Sequence, residues 1–324
     1  MAATALSPSL PLLRANMRVR ADWPVLIGLA LLVVLVRGAS FGNPVAEMDD
    51  QLYSFIGGRM LHGELPFVDW FDRKPFGLFA IYALAHLIGG PSPMAYQALA
   101  MLATLSGGWL TFQLARPLAD RAGAVIAGAF YVVLLTAFAG PSGQSEAFFV
   151  PVMLLAAALV RDWRHRDAGR RALWAMALCG AALQIKYTVL PQCAFLGAWT
   201  LYGAFRRGQS LPRIARNAAI YVVLGVGPTA LVGLFYLAMG GWDAFWFANF
   251  VSFFQRAGVY ESRFNANQIM WGVLLAMPLI GAAYYASRVE RPRDLRQYGF
   301  YALWSLSVAA TVLLPKTIYM FYLG

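Results

Sequence analysis

The sequence predicts an all-α polytopic membrane protein, a bundle of about nine to ten transmembrane helices. Three observations lead there. The 324 residues are 60% hydrophobic and only 13% charged, with a mean hydropathy of +0.59; a soluble domain of this length carries more charge. The apolar runs are long and do not alternate, which argues against a transmembrane β-barrel. The arginines sit in short loops between those runs, as the positive-inside rule describes. The net charge of +11 is therefore read as a lipid-bilayer signature, with no nucleic acid among the partners.

Taken in order, the apolar spans run 24–41, 93–115, 122–140, 147–160, 172–185, 188–205, 217–239, 269–287 and 298–314, with a tenth beginning near Thr317. A spanning helix needs about 20 residues, and about 17 is near the lower limit. Spans 147–160 and 172–185 fall short, so they are either buried within the bundle or longer than hydropathy indicates. Arg14, Arg18 and Arg20 precede the first span; that basic region is long for a signal peptide, and a retained signal anchor is expected. The tenth run has only a few residues before Gly324, so a C-terminal part is expected to be missing. Cys179 and Cys193 lie in apolar segments and read as buried thiols.

The segment from Phe76 to Gly90 decides the topology. It is apolar, 15 residues long and ended by Gly-Gly-Pro. If it crossed, every later loop would change side. If it lies along the membrane surface as a juxtamembrane helix, the basic loops 14–20, 116–121, 161–171, 206–216 and 288–296 all face one way, and together they hold 18 of the 26 lysines and arginines. That bias places the N-terminus and these loops in the cytoplasm. The exoplasmic face of an inner (plasma) membrane then receives 42–75, 141–146, Lys186, 240–268 and the Lys316 region, with nine of the fifteen acids. No internal repeat or low-complexity linker divides the chain, so 1–324 reads as one domain whose first exoplasmic loop is 42–92.

Chemistry-bearing residues concentrate in that loop. Glu47 to Gly77 carries six carboxylates (Glu47, Asp49, Asp50, Glu64, Asp69, Asp72) and three cations (Arg59, Arg73, Lys74). Charges are costly in hydrocarbon, so the segment must be wet or line a polar cavity. Adjacent carboxylates in a partly desolvated site raise one another's proton affinity, which suits one of Asp49-Asp50 to general-base work; equally, either acid would cap the helix that LYSFIGGRML begins. Arg73 and Lys74, before Pro75, suit a phosphate group; snorkelling at the interface, or pairing with Asp69 or Asp72, would place them there too. Glu146 begins a helix at the exoplasmic end of an apolar span, where the helix dipole favours a carboxylate and a cavity role is also open. Lys186 lies between two short apolar runs, where a lysine is expensive unless paired or facing a cavity. The aromatics of 240–268 read mostly as an interfacial belt; Arg256 and Arg263 in that loop are candidate contacts for an anionic lipid. His62, His86 and His165 have no metal-ligand spacing, and neither a Walker A motif nor G-x-G-x-x-G is present, so no metal or cofactor is expected.

On these residues the chain resembles the GT-C membrane glycosyltransferases, and within them the bacterial family 39 group related to protein O-mannosyltransferases and the lipid A aminoarabinose transferase. That family places an acidic pair just after the first transmembrane helix, then a pattern close to Y-x-x-x-x-R-x-x-L-x-G, then K-P-P or K-P before a juxtamembrane helix. Here DDQLYSFIGGRMLHGELPF and RKPFG match. The second acid is Asp50 where glutamate is commoner, and Phe76 replaces the second proline. SEAFFVPVMLL and ALQIKYTVLP resemble the family's glutamate-led helix and its lysine-ended helix. PKTIYMFYLG resembles its C-terminal segment without the histidine, with Tyr319 or Tyr322 nearby. The resemblance runs over nearly the whole chain. It implies a GT-C bundle that moves a sugar from a polyprenyl-phosphate donor to a glycan, lipid or protein acceptor, with inversion. Asp49 would take the acceptor proton and Asp50 would position the acceptor or tune Asp49. Lys74, with Arg73 and Lys186, would neutralise the leaving phosphate, and Tyr53, Arg59 and Glu146 would complete the substrate site. A carrier or flippase for lipid-linked sugars, or a non-catalytic scaffold of an envelope-polysaccharide complex, would carry the same cations.

Overall fold

The computed structural model describes residues 10–255 and 295–313; the apolar run 269–287, the tenth run near Thr317, and Arg256, Arg263, Lys316, Tyr319 and Tyr322 lie outside them. The described chain is helical: α1 Leu10–Arg37, α2 Met48–Met60, α3 Phe76–Gly89, α4 Pro93–Ala115, α5 Arg121–Ala139, α6 Ser145–Val160, α7 Ala168–Leu183, α8 Leu190–Arg206, α9 Leu211–Ala238, α10 Trp242–Trp246, a π-helical turn Phe247–Val251, α11 Ser252–Phe254 and α12 Leu295–Leu313. Among the described residues, four stretches are long and apolar enough to cross a membrane: Asp22–Ser40, Pro93–Ala115, Arg121–Ala139 and Leu211–Ala238.

Side-chain contacts sort the loops to two ends of the bundle, as the arginine pattern predicts. At one end Asp22 pairs with Arg116 and Arg121, Arg207 donates to the Trp163 carbonyl, and the Tyr301 hydroxyl joins the Leu114 carbonyl (3.0 Å) to Arg161 (3.4 Å). At the other end Gln97 donates to the Asn43 carbonyl, Lys186 pairs with Glu146, Tyr236 donates to the Pro66 carbonyl and Gln192 meets Thr311. Among the described residues, α1, α4, α5, α6, α7, α8, α9 and α12 run between these ends.

The short apolar run 147–160, in α6, and the long run 217–239, in α9, find different accommodation. Helix α6 is the central post, with ten of its sixteen residues buried, among them Phe148, Phe149, Met153 and Val160. A helix packed by protein over most of its surface, with Leu155 left exposed, is less bound by the length rule for a lipid-facing span. Helix α9 is the converse: of its 28 residues only Gly233 and Tyr236 are buried, which suits a helix facing lipid.

Helix α3 does not cross. Fourteen residues rise about 21 Å, short of the roughly 30 Å hydrocarbon core. Its first turn abuts Gln184, and its last residue, Gly89, abuts Ala95 at the start of α4; both are at the Glu146 end. The helix lies across that end, with Leu78, Phe79, Tyr82 and His86 inward and Leu84, Leu87 and Ile88 exposed.

In lipid, helices associate through close van der Waals packing, which small residues permit. Gly108 and Gly128 let α4 and α5 touch backbones, as Gly180 does for α7 on the Leu224 carbonyl of α9. The loop before α3 is fixed by Phe67, the one described non-glycine residue with positive φ (72°). Its ring packs against Phe79, Tyr236 and Phe245.

Helix α2 rests on α3 at Gly57, where an added Cβ would stand 2.7 Å from Tyr82 Cβ and 2.8 Å from the Ala83 amide nitrogen. Gly57→Val should therefore cost about 1–3 kcal/mol through overpacking and lower the melting temperature of the purified protein. Gly58→Ala, whose Cβ would meet nothing within 4 Å, should instead stabilise α2 by up to about 1 kcal/mol. Equal effects at both positions would refute this packing.

Candidate functional site

Adjacent residues on a helix point about 100° apart, so Asp49 and Asp50 cannot serve one task. Glu47 is the N-cap residue of α2, and its side chain makes no capping hydrogen bond. Asp49 and Asp50 fall in the first turn, where the helix dipole favours both, yet their surroundings differ. Asp50 is fully buried, and its Oδ2 accepts from the Gly143 amide at 2.5 Å. Burial pushes its carboxyl above the usual carboxylate range, and the Gly143 amide pulls the other way. Asp49 is half-buried. It shares a face with Tyr53, one turn on, whose hydroxyl donates to Asp49 Oδ2 at 3.2 Å.

The Asp50 side of α2 stands on a buried polar knot. Ser142 to Gln144 is non-helical backbone, buried where α5 passes into α6. Tyr82 donates to the Gly143 carbonyl at 2.7 Å. Arg37, at the end of α1, donates to the Ser142 carbonyl and to Thr104 Oγ1 at 2.7 Å. Gln97 donates to Ser142 Oγ (3.2 Å) and the Asn43 carbonyl (3.0 Å), and accepts from the Gly42 amide (2.6 Å). Arg37 does not figure among the residues that the sequence reading singles out. The signal was present: an arginine inside an apolar span is expensive and so must have a partner.

The same segment delivers Glu146, in the first turn of α6. Its Oε1 pairs with Lys186 Nζ, and its Oε2 accepts from Ser145 Oγ at 2.9 Å. Lys186 follows the end of α7 and precedes a 3₁₀ turn, Tyr187–Val189. Its ammonium lies 5.8 Å from the centre of the Phe149 ring. Both partners are at least 95% buried.

The Arg73-Lys74-Pro75 segment is brought to this pair by a glycine. A Cβ on Gly77 would stand 2.6 Å from Gln184 Cβ and 2.7 Å from its carbonyl oxygen, and the Leu78 amide donates to that oxygen at 3.1 Å. The start of α3 is thereby docked two residues from Lys186. Asp72 Oδ1 accepts from the Lys74 amide at 2.7 Å, and burial pushes the Asp72 carboxyl up. Lys74 Nζ lies 5.4 Å from the centre of the Tyr53 ring. Around Tyr53 the structure thus gathers Asp49, Asp72 and Glu146, whose charges, after burial, raise its hydroxyl pKa.

Of the candidates from sequence, Asp49, Tyr53, Lys74, Glu146 and Lys186 come together, and Asp50 lies beneath them. Arg73 is exposed beside Lys74. Arg59 pairs with Glu64 at the surface, and Glu64 also accepts from Trp70; that arginine braces the loop outside the cluster.

Residues 73–229, just under half of the chain, match the family described as dolichyl-phosphate-mannose-protein mannosyltransferase. The match includes Lys74, Glu146 and Lys186 and begins after Asp49, Asp50 and Tyr53, so it is narrower than the nearly whole-chain resemblance read from sequence. Comparison with curated proteins and with solved structures gave no match.

Removing one partner of a buried ion pair leaves an uncompensated charge, at a cost of about 3–5 kcal/mol. Glu146→Gln and Lys186→Met should each lower thermal stability by about that amount, and the double variant should recover most of it. Single losses that simply add in the double variant would count against the pair.

Proposed function

We propose that this chain, a membrane glycosyltransferase whose residues 73–229 form a dolichyl-phosphate-mannose-protein mannosyltransferase domain, transfers its sugar at the Asp49–Tyr53–Lys74 cluster. The donor is a sugar on a polyprenyl phosphate. The acceptor's hydroxyl or amide gives its proton to Asp49. The freed electron pair forms a bond to the anomeric carbon as the bond from that carbon to the phosphate oxygen breaks. Attack from the side opposite the phosphate inverts the anomeric centre. The lipid phosphate departs with the bonding pair, and Lys74 and Lys186 stabilise its charge, the kind of electrostatic contribution that dominates many enzymes.

One observation carries the assignment of the base. Asp50 is sealed in the knot, Glu146 is held by Lys186, and Asp72 is turned back onto the Lys74 amide. Asp49 is half-buried like Asp72, but where Asp72 is tied to the neighbouring Lys74 backbone amide, Asp49 is met by the Tyr53 hydroxyl on a face shared with that ring. Tyr53 holds one carboxylate oxygen and leaves the other for a substrate proton. Asp50, Arg37 and Gln97 set the position of α2 without touching substrate.

Asp49→Asn should lower transfer from the polyprenyl-phosphate sugar by about 100- to 10,000-fold while donor binding survives. A folded Asp49→Asn protein with near-parental transfer would refute the base. Loss of donor binding together with transfer would instead make Asp49 a binding residue. Lys74→Ala should weaken the donor more than the acceptor; unchanged donor affinity would reduce Lys74 to an interfacial anchor.

We infer that the cluster faces the exoplasm of a plasma membrane, with the N-terminus in the cytoplasm, a reading supported by the arginine-rich loops at the opposite end of the bundle. In intact cells a cysteine at His62 should react with an impermeant thiol reagent, and cysteines at Arg166 and Gly208 should be protected. The reverse pattern would overturn the orientation.

A further inference from the structure

At the end of the bundle opposite Asp49 and Glu146, a groove of about 510 Å³ opens between α8 and α12. Phe195, Trp199, Gly299 and Leu303 form its walls, and Arg164 and Arg206 stand at its rim. Three features of this groove are unused by the transfer chemistry. First, its two cations are held by aromatic faces: Arg164 lies 5.0 Å from the centre of the Trp163 ring, while Arg206 lies 5.6 Å from that of Tyr202 and donates to its hydroxyl at 2.6 Å. Among the described residues neither arginine forms an ion pair with a carboxylate. Second, the indole N–H of Trp199, in the groove wall, is buried without an acceptor among the described residues, although a buried indole N–H usually has one. Third, a Cβ on Gly299 would meet nothing within 4 Å, so the glycine leaves the trough open.

An apolar trough with two guanidinium groups at its rim, neither in an ion pair with a carboxylate among the described residues, selects an amphiphile with an anionic head. Basic pockets between transmembrane helices are a recurrent way of holding acidic lipid headgroups, and the volume is in the range of sites that enclose one small ligand, roughly 300–1,000 Å³. We propose that this groove binds one acidic phospholipid of the surrounding membrane. Its phosphodiester sits between Arg164 and Arg206, and one acyl chain lies along Phe195 and Leu303 over Gly299. The site is separate from the donor-sugar cluster and does not depend on how transfer proceeds.

Native mass spectrometry of the full chain, released from nanodiscs containing phosphatidylglycerol and phosphatidylcholine, tests the proposal. The parent should retain one phosphatidylglycerol in preference to phosphatidylcholine by about tenfold or more. Arg164→Gln/Arg206→Gln should abolish the preference. Gly299→Leu, which fills the trough while keeping both arginines, should abolish retention. Equal retention of the two lipids by the parent, or parental retention by either variant, would overturn the site, as would no retention by the parent. Because one variant alters only the rim and the other only the trough, misfolding of one leaves the other decisive; each is checked by its melting curve in detergent.

Discussion

The structure depends on how a short piece of irregular backbone is satisfied away from water. In a membrane protein, non-helical backbone at depth is tolerated only where protein groups meet its N–H and C=O. Ser142 and Gly143 are such a piece. An arginine from α1, an aspartate from α2 and a tyrosine from α3 converge on them. Those three contacts fix the first juxtamembrane helix against the bundle, and through it the bearing of Asp49. The same backbone leads directly into Glu146, so one knot sets both acids of the site relative to each other.

The cluster above the knot is organised by opposite charges in graded environments. Glu146 and Lys186 are almost wholly enclosed, whereas Asp49 and Lys74 are half-buried. Enclosed charges are held firmly because moving either partner is costly. Half-buried ones can exchange a protein or water partner for a substrate group at small cost. In the proposed reaction the departing phosphate would meet Lys74 already positioned, with Lys186, paired to Glu146, behind it.

Much of this was legible in the sequence, because the relevant physics is local or statistical. Arginines sort to one side of a membrane whatever the tertiary contacts, so the two ends of the bundle followed from counting. The shortness of 76–90, together with the arginine bias of the loops that follow it, is enough to lay α3 flat. Asp49-Asp50 was visible as an acidic pair, but the division of labour between them was not: it arises from a rotation of about 100° and from the distant Gly143 amide. The part of Gly77 in bringing Lys74 to Lys186 was equally hidden, since a glycine reports a close approach without naming what approaches. Arg59 reads as part of a motif, yet it pairs with Glu64, five residues on, which also accepts from Trp70 to complete a loop brace. Arg37 hides within the apolar span 24–41, and its cost there is the clue to its buried partners.

Phe67 shows what the scaffold demands of a single position. Its backbone is left-handed, a conformation that costs a side-chain-bearing residue about 1–2 kcal/mol, and glycine would relieve that cost. Its ring, only 4% exposed among three other aromatic rings, contributes more than this, since emptying such a site typically costs about 3–5 kcal/mol. Neither requirement can be met without offending the other, and the ring prevails. Sequence drift at this position is accordingly boxed in: glycine satisfies the chain and forfeits the core, β-branched residues worsen the strain, and only another planar ring preserves what is gained.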